Sequence, residues 1–122
     1  MKVLLVDDSR IMRNIIKNTL DIMNSVVYDV IEAGDGVAAF SILEKEDIDI
    51  LLLDWNMPRL SGLDLIKKIR SMDRFAGLPI IMITSEAAKY NVIEAIKSGA
   101  DDYLIKPVSE AKLLEKITRL TV

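Results

Sequence analysis

Short, strongly apolar runs alternate along the chain with longer stretches in which apolar residues recur every three or four positions. "VLLV" at 3–6, "ILLL" at 50–53 and "IIMI" at 80–83 contain no polar residue to mark a wet face, as expected of strands covered on both sides. With their flanks, these runs predict five strands, at 2–7, 26–32, 49–54, 79–84 and 101–106. The runs at 26–32 and 101–106 carry Tyr28, Asp29, Asp102 and Tyr103 and read as edges. Between the strands, helical stripes recur: Ile11, Met12, Ile15, Ile16 and Met23, then Leu65, Ile66 and Ile69, then Val92, Ile93 and Ile96, then Leu113, Leu114, Ile117 and Leu120. The second helix, near 36–45, is less regular: Val37, Phe40 and Leu43 are expected to face the core, with Ile42 off the stripe. Gly99 and Asn24 suit left-handed helix ends.

Strands that alternate with helices at this spacing make repeated βα units in a parallel sheet. The expectation is a flavodoxin-like (βα)5 doubly wound α/β fold with strand order 2-1-3-4-5, formed as one domain by residues 1–122.

Composition removes several classes of chemistry. There is no cysteine, so disulfides, thiol catalysis and thiolate metal sites are excluded. The absence of histidine removes imidazole bases and leaves oxygen as the donor for any metal, which favours a hard cation such as magnesium. A net charge of −3 and no basic run argue against direct nucleic-acid binding. No apolar run is long enough to cross a bilayer, and "MKVLLVDDSR" reaches acid too early for a secretion signal, so a soluble cytoplasmic protein is expected; a monomer is expected as well.

The acids then become informative. Asp7 and Asp8 follow the first strand as Asp54 follows the third, which places all three on the carboxyl edge of one sheet. In a 2-1-3-4-5 order the ligand crevice opens between those two strands, whose spacing is about 4.8 Å. Thr84 ends the fourth strand, and Lys106 ends the fifth, within a long side chain's reach of Asp54. Each residue has an ordinary use. Asp7, Asp8 and Ser9 can cap the first helix, and Thr84 or Ser85 the fourth. Asp54 can form a turn before "NMPRLSG", Lys106 can guard an edge strand, and Tyr103 can be half-buried packing. Those uses do not explain acid on strands one and three with base on strand five. Phosphoryl transfer to a carboxylate does: Mg2+ relieves the repulsion among Asp7, Asp8 and Asp54, Asp54 is the nucleophile, and Lys106 and Thr84 contact phosphoryl oxygens.

"LLVDDS", "LLLDWNMP", "IIMITSE" and "SGADDYLIKP" occur in order at family spacing, and the whole chain resembles the receiver domain of two-component response regulators, above all the single-domain chemotaxis members. The 2-1-3-4-5 order is also a property of that family, so it belongs to the resemblance as much as to the pattern. The resemblance implies phosphorylation of Asp54 by a histidine kinase and a Mg2+ site made by Asp7, Asp8, Asp54 and the backbone carbonyl of Asn56. It implies a cis Lys106–Pro107 peptide and a switch in which Thr84 moves toward the phosphate and Tyr103 turns inward. Lys89, Tyr103, Ile105, Val108 and Lys116 would line an output face on helix four, strand five and helix five, for a flagellar motor switch protein. Asn56 and Glu86 would tune dephosphorylation, with a phosphatase as a further partner. Two positions depart from the chemotaxis pattern: Val108 stands where a phenylalanine is usual, and Ala88 replaces a lysine.

Other readings remain open. A phosphorelay intermediate, or a receiver belonging to a longer regulator, would carry the same motifs. An aspartate-nucleophile phosphatase generally has D-x-D, and Asn56 occupies the place of its second acid. A scaffold that binds partners without phosphorylation would not need the full set of acids, lysine and threonine.

Overall fold

The computed structural model describes residues 1–22, 28–55, 57, 59–85 and 89–121. Five strands and five helices alternate: β1 (Lys2–Val6), α1 (Arg10–Ile22), β2 (Asp29–Ala33), α2 (Gly36–Lys45), β3 (Ile50–Leu53), α3 (Gly62–Arg70), β4 (Ile80–Thr84), α4 (Lys89–Ser98), β5 (Asp102–Ile105) and α5 (Glu110–Thr121), with a 3-10 turn at Asp73–Phe75. The strands form one parallel sheet in the order β2-β1-β3-β4-β5. The expected topology is therefore the observed one, with β2 and β5 at the edges.

The apolar strand runs split by parity between two cores, which is why they lack a polar face. Leu4, Val6, Leu51, Leu53, Ile80 and Met82 pack with α2, α3 and α4. Val3, Leu5, Ile50, Leu52, Ile81 and Ile83 pack with α1 and α5. Successive side chains of a strand point to opposite faces, so a strand covered on both sides must be apolar throughout.

The helix stripes needed correction in three places. In α1, Ile16 and Leu20 are buried, while Ile11 is 72% exposed and Ile15 48% exposed. At about 100° per residue, Ile11, Ile15 and Ile22 share an arc far round the helix from Ile16 and Leu20, so the apolar residues of α1 form two faces and only one meets the sheet. In α2, Val37 is exposed, whereas Ile42 packs against the first core with Phe40 and Leu43. In α4, Ala95 is buried in the first core beside the α3 residues Leu65, Ile66 and Ile69, while Ile93 and Ile96 are exposed. Met23, Asn24 and the start of the expected second strand at 26 and 27 lie outside the described residues.

Gly99 closes α4 with a left-handed backbone, φ 119°. A Cβ there would lie 2.5 Å from the Arg70 side chain. Arg70 needs that space, since its guanidinium donates to the carbonyls of Gly99, Phe75 and Leu78 at 2.8–2.9 Å and pairs with Asp101 at 3.0 Å. One side chain thus ties the end of α3 to the turns that lead into β4 and β5.

Candidate functional site

Backbone pairing brings the acids together. Val6 of β1 is level with Leu53 of β3, so Asp7 and Asp54 emerge side by side where the two strands end. The Asp54 amide donates to the Val6 carbonyl at 2.8 Å, and the Asp7 amide to the Ala33 carbonyl at 3.1 Å. Both residues remain tied to the sheet and both are buried, Asp7 at 2% and Asp54 at 8% exposure, while Asp8 faces solvent. One carboxylate oxygen from each of Asp7, Asp8 and Asp54 lies within 4.8 Å of the others.

Every oxygen of Asp7 has a protein donor. Oδ1 accepts from the Ser9 amide at 2.8 Å and Oδ2 from Lys106 Nζ at 2.9 Å. The Arg13 guanidinium donates to the Asp7 carbonyl at 2.6 Å and pairs with Glu32 of β2 at 3.1 Å. Ser9 serves as a cap as well, its hydroxyl accepting from the Met12 amide at 3.2 Å at the head of α1. The capping use and the clustering of acids coexist in the same loop.

Lys106 reaches the cluster from the end of β5. Its amide donates to the Thr84 carbonyl at 2.9 Å, the Lys106–Pro107 peptide is cis, and Nζ stands 3.5 Å from Asp54 Oδ1. Thr84 is buried at the end of β4, between β3 and β5. Burial and the neighbouring Asp7 charge raise the Asp54 carboxyl from its ordinary value of 3.8 to about 6, with Asp8 adding to the rise and Lys106 opposing it.

The loop after Asp54 folds back at once. The Gly62 amide donates to the Trp55 carbonyl at 3.0 Å, and a Cβ on Gly62 would sit 2.4 Å from the Asp54 carbonyl oxygen. Ser61 caps α3 by accepting from the Asp64 amide at 3.2 Å. Arg59, with φ 69°, pairs with Asp35, the N-cap of α2, at 3.3 Å.

Of the expected site residues, Asp7, Asp8, Asp54 and Lys106 converge on one notch, with Thr84 beside it on β4. Asn56, Glu86 and the side chain of Lys89 lie outside the described residues. On the β5–α5 face, Tyr103 is 38% exposed and lines a groove of about 350 Å³ with Ile105, Pro107, Lys112 and Lys116. Val108 is half-buried and packs against the second core. Sequence reasoning missed Arg13, which reads as a polar position on α1, and Gly62, whose role depends on how closely the loop returns to Asp54. It also read Asp102 only as an edge residue, although it is buried.

A doubly wound sheet that gathers three carboxylates and a lysine at its β1–β3 crevice defines an α/β receiver. Residues 3–118 match the response regulator receiver domain, and the chain belongs to that family of two-component response regulators. The chemotaxis protein CheY1 of Helicobacter pylori is 50% identical over 118 residues, covering 96% of this chain and 94% of that protein. The solved structure of Vibrio cholerae chemotaxis protein CheY4 superposes with a TM-score of 0.87 at 33% identity, covering 98% and 97% of the two chains. The receiver domain of sensor histidine kinase PA1611 from Pseudomonas aeruginosa, solved with a magnesium ion coordinated in its active-site cleft, gives a TM-score of 0.88 at 28% identity over 98% and 96%.

Proposed function

We propose that residues 1–122 act as a phosphoacceptor switch that takes a phosphoryl group from a histidine kinase onto Asp54 and signals in chemotaxis. The observation that carries this reading is the position of Lys106 Nζ, 2.9 Å from Asp7 and 3.5 Å from Asp54, beside three carboxylates gathered within 4.8 Å.

Crowded carboxylate oxygens with no nitrogen or sulfur donor among them are the donor set that Mg2+ prefers. Asp7, Asp8 and Asp54 would hold it, joined by the Asn56 carbonyl as the family resemblance implies. When bound, the ion supplies positive charge to the acids and to phosphoryl oxygens. Asp7, already held by Ser9 and Lys106, is fixed in place, while exposed Asp8 is open to exchange.

In the transfer step an Asp54 carboxylate oxygen bonds to phosphorus as the kinase's phosphohistidine N–P bond breaks, and the imidazole leaves with the electron pair. The Lys106 ammonium and the Thr84 hydroxyl donate to phosphoryl oxygens. Attack of water on phosphorus later releases inorganic phosphate and restores the carboxylate. By the family resemblance, Asn56 and Glu86 would tune that step, and a phosphatase would act on it. The chain turns over only its own phosphoryl group. Its output follows from Thr84 and Tyr103 as a paired switch, and the resemblance assigns the output face to Lys89, Tyr103, Ile105, Val108 and Lys116, with a flagellar motor switch protein as target. Among the described residues no helix is long and apolar enough to cross a membrane, which accords with a cytoplasmic messenger.

Incubation with acetyl phosphate and magnesium, followed by intact mass, tests the chemistry. One labile phosphoryl adduct should form on the wild type, be lost with chelator and be absent from Asp54→Asn. A stable adduct elsewhere, on Ser9 for example, would overturn it. Pull-down by a flagellar switch peptide with and without beryllofluoride tests the output; binding indifferent to the mimic would reject that part alone.

A further inference from the structure

Asp102 is a buried acid that the phosphoacceptor notch does not use. It lies on the face of β5 shared with Leu104, which packs in the α1 and α5 core, and its side chain is 8% exposed. A carboxylate in that position carries a desolvation penalty unless it is paired. Two cations from α5 meet it: Lys116 Nζ at 3.1 Å from Oδ1, and Arg119, which approaches Oδ2 as a charge without an aligned hydrogen bond. An aliphatic residue would join Leu104 without that penalty, so what the acid contributes is placement.

The group that it places is Tyr103. Strand β5 has a single neighbour, β4, and the Lys106 amide points toward it at 2.9 Å from the Thr84 carbonyl. Amides alternate in direction along a strand, so the Tyr103 amide faces the open edge, where a sheet has no partner to offer. Asp102 Oδ1 accepts that amide at 2.8 Å. The Lys116 ammonium bound to the same oxygen stands 6.0 Å from the centroid of the Tyr103 ring, within cation–π range.

We propose that Asp102 is a positioning residue for Tyr103: its carboxylate holds the tyrosine amide directly and the ring, through Lys116, on the outer side of β5. This rests on the reading of Thr84 and Tyr103 as the switch. The acid biases that switch toward its outward state, so that phosphorylation at Asp54 works against a defined restraint.

Fluorine NMR of the full chain labelled with 3-fluorotyrosine tests the proposal, with Tyr103→Phe assigning one of the three tyrosine signals. In Asp102→Ala without beryllofluoride, the Tyr103 signal should move at least half the way to the position it takes in the beryllofluoride-bound wild type. Lys116→Met should move it in the same direction. The Tyr103 amide should exchange on the order of tenfold faster in Asp102→Ala, as expected for loss of a hydrogen bond to a charged acceptor. If Asp102→Ala does not fold, Asp102→Asn keeps the shape and removes the charge, and the same displacement is expected. A Tyr103 signal coincident with the wild type in the variant that folds would overturn the proposal. If beryllofluoride moves no tyrosine signal in the wild type, the switch reading falls. Displacement by the Asp102 variant in the free protein would then still decide whether the acid positions the ring.

Discussion

Lys106 and Asp7 form an ion pair of 2.9 Å between residues 99 positions apart in the chain, with side-chain exposures of 15% and 3%. Among the described residues the lysine is the only cation paired with the Asp7 or Asp54 carboxylate, and it meets both. Removing it leaves crowded acids uncompensated, and breaking a buried pair from one side typically costs about 3 kcal/mol. Lys106→Met should therefore unfold earlier in urea at pH 7 without divalent cations, by about that amount. Magnesium should narrow the gap, and acetyl phosphate should label the variant poorly. Equal midpoints for the two proteins would show that the lysine charge does not hold the acids together.

Asp54 makes stability depend on pH in a stated direction. Its carboxyl is raised in the folded protein from 3.8 to about 6, so the native state holds the proton more tightly than the unfolded chain. The resulting stabilisation is complete below 3.8 and is lost as pH rises through about 6, a change of about 3 kcal/mol. Urea unfolding of the metal-free wild type should show that decline between pH 4 and pH 7, and Asp54→Asn should flatten it. A wild-type curve that rises with pH over this window would contradict the assignment.

Magnesium should act in the opposite sense, stabilising the ionised cluster. At a hundred times its dissociation constant, a ligand specific for the native state adds about 2.7 kcal/mol. Trp55, half-buried beside Asp54, offers a fluorescence readout of the same titration. Asp8→Ala should abolish both the saturable rise in melting temperature and the Trp55 change while leaving a folded protein. Persistence of the titration in that variant would place the ion elsewhere.

Gly62 carries a steric prediction. A Cβ there meets backbone, the Asp54 carbonyl at 2.4 Å and Trp55 Cα at 3.0 Å, and backbone cannot swing aside as a side chain can. Gly62→Ala should destabilise by about 2 kcal/mol and slow labelling by acetyl phosphate, because the residue it displaces is the proposed phosphoacceptor. Wild-type labelling with reduced stability would mean that the loop relaxes away from Asp54.

Much of this was legible before any coordinates. The unbroken apolar runs Val3 to Val6, Ile50 to Leu53 and Ile80 to Ile83 identified the three central strands, and acids at two strand ends with lysine at a third marked the notch. Helix faces were less legible. Ile11, Ile15 and Val37 look like core residues in a pattern of apolar spacing, yet all three are exposed, while the small Ala95 faces inward. Spacing gives the angle between residues on a helix, and only the packing of that helix decides which angle faces the sheet.

Strand and helix alternation, and the chemical kinds of the side chains at the strand ends, were set by local composition, since burial on two faces demands apolar runs and turns demand polar residues. The distances that make those side chains a site came from elsewhere. Whether Lys106 reaches Asp7 and Asp54, whether Arg13 holds the Asp7 carbonyl and whether Asp102 lies buried under α5 depend on contacts between residues far apart in the chain. Such contacts exist only once the sheet has brought its strands into register, so no local pattern could have specified them.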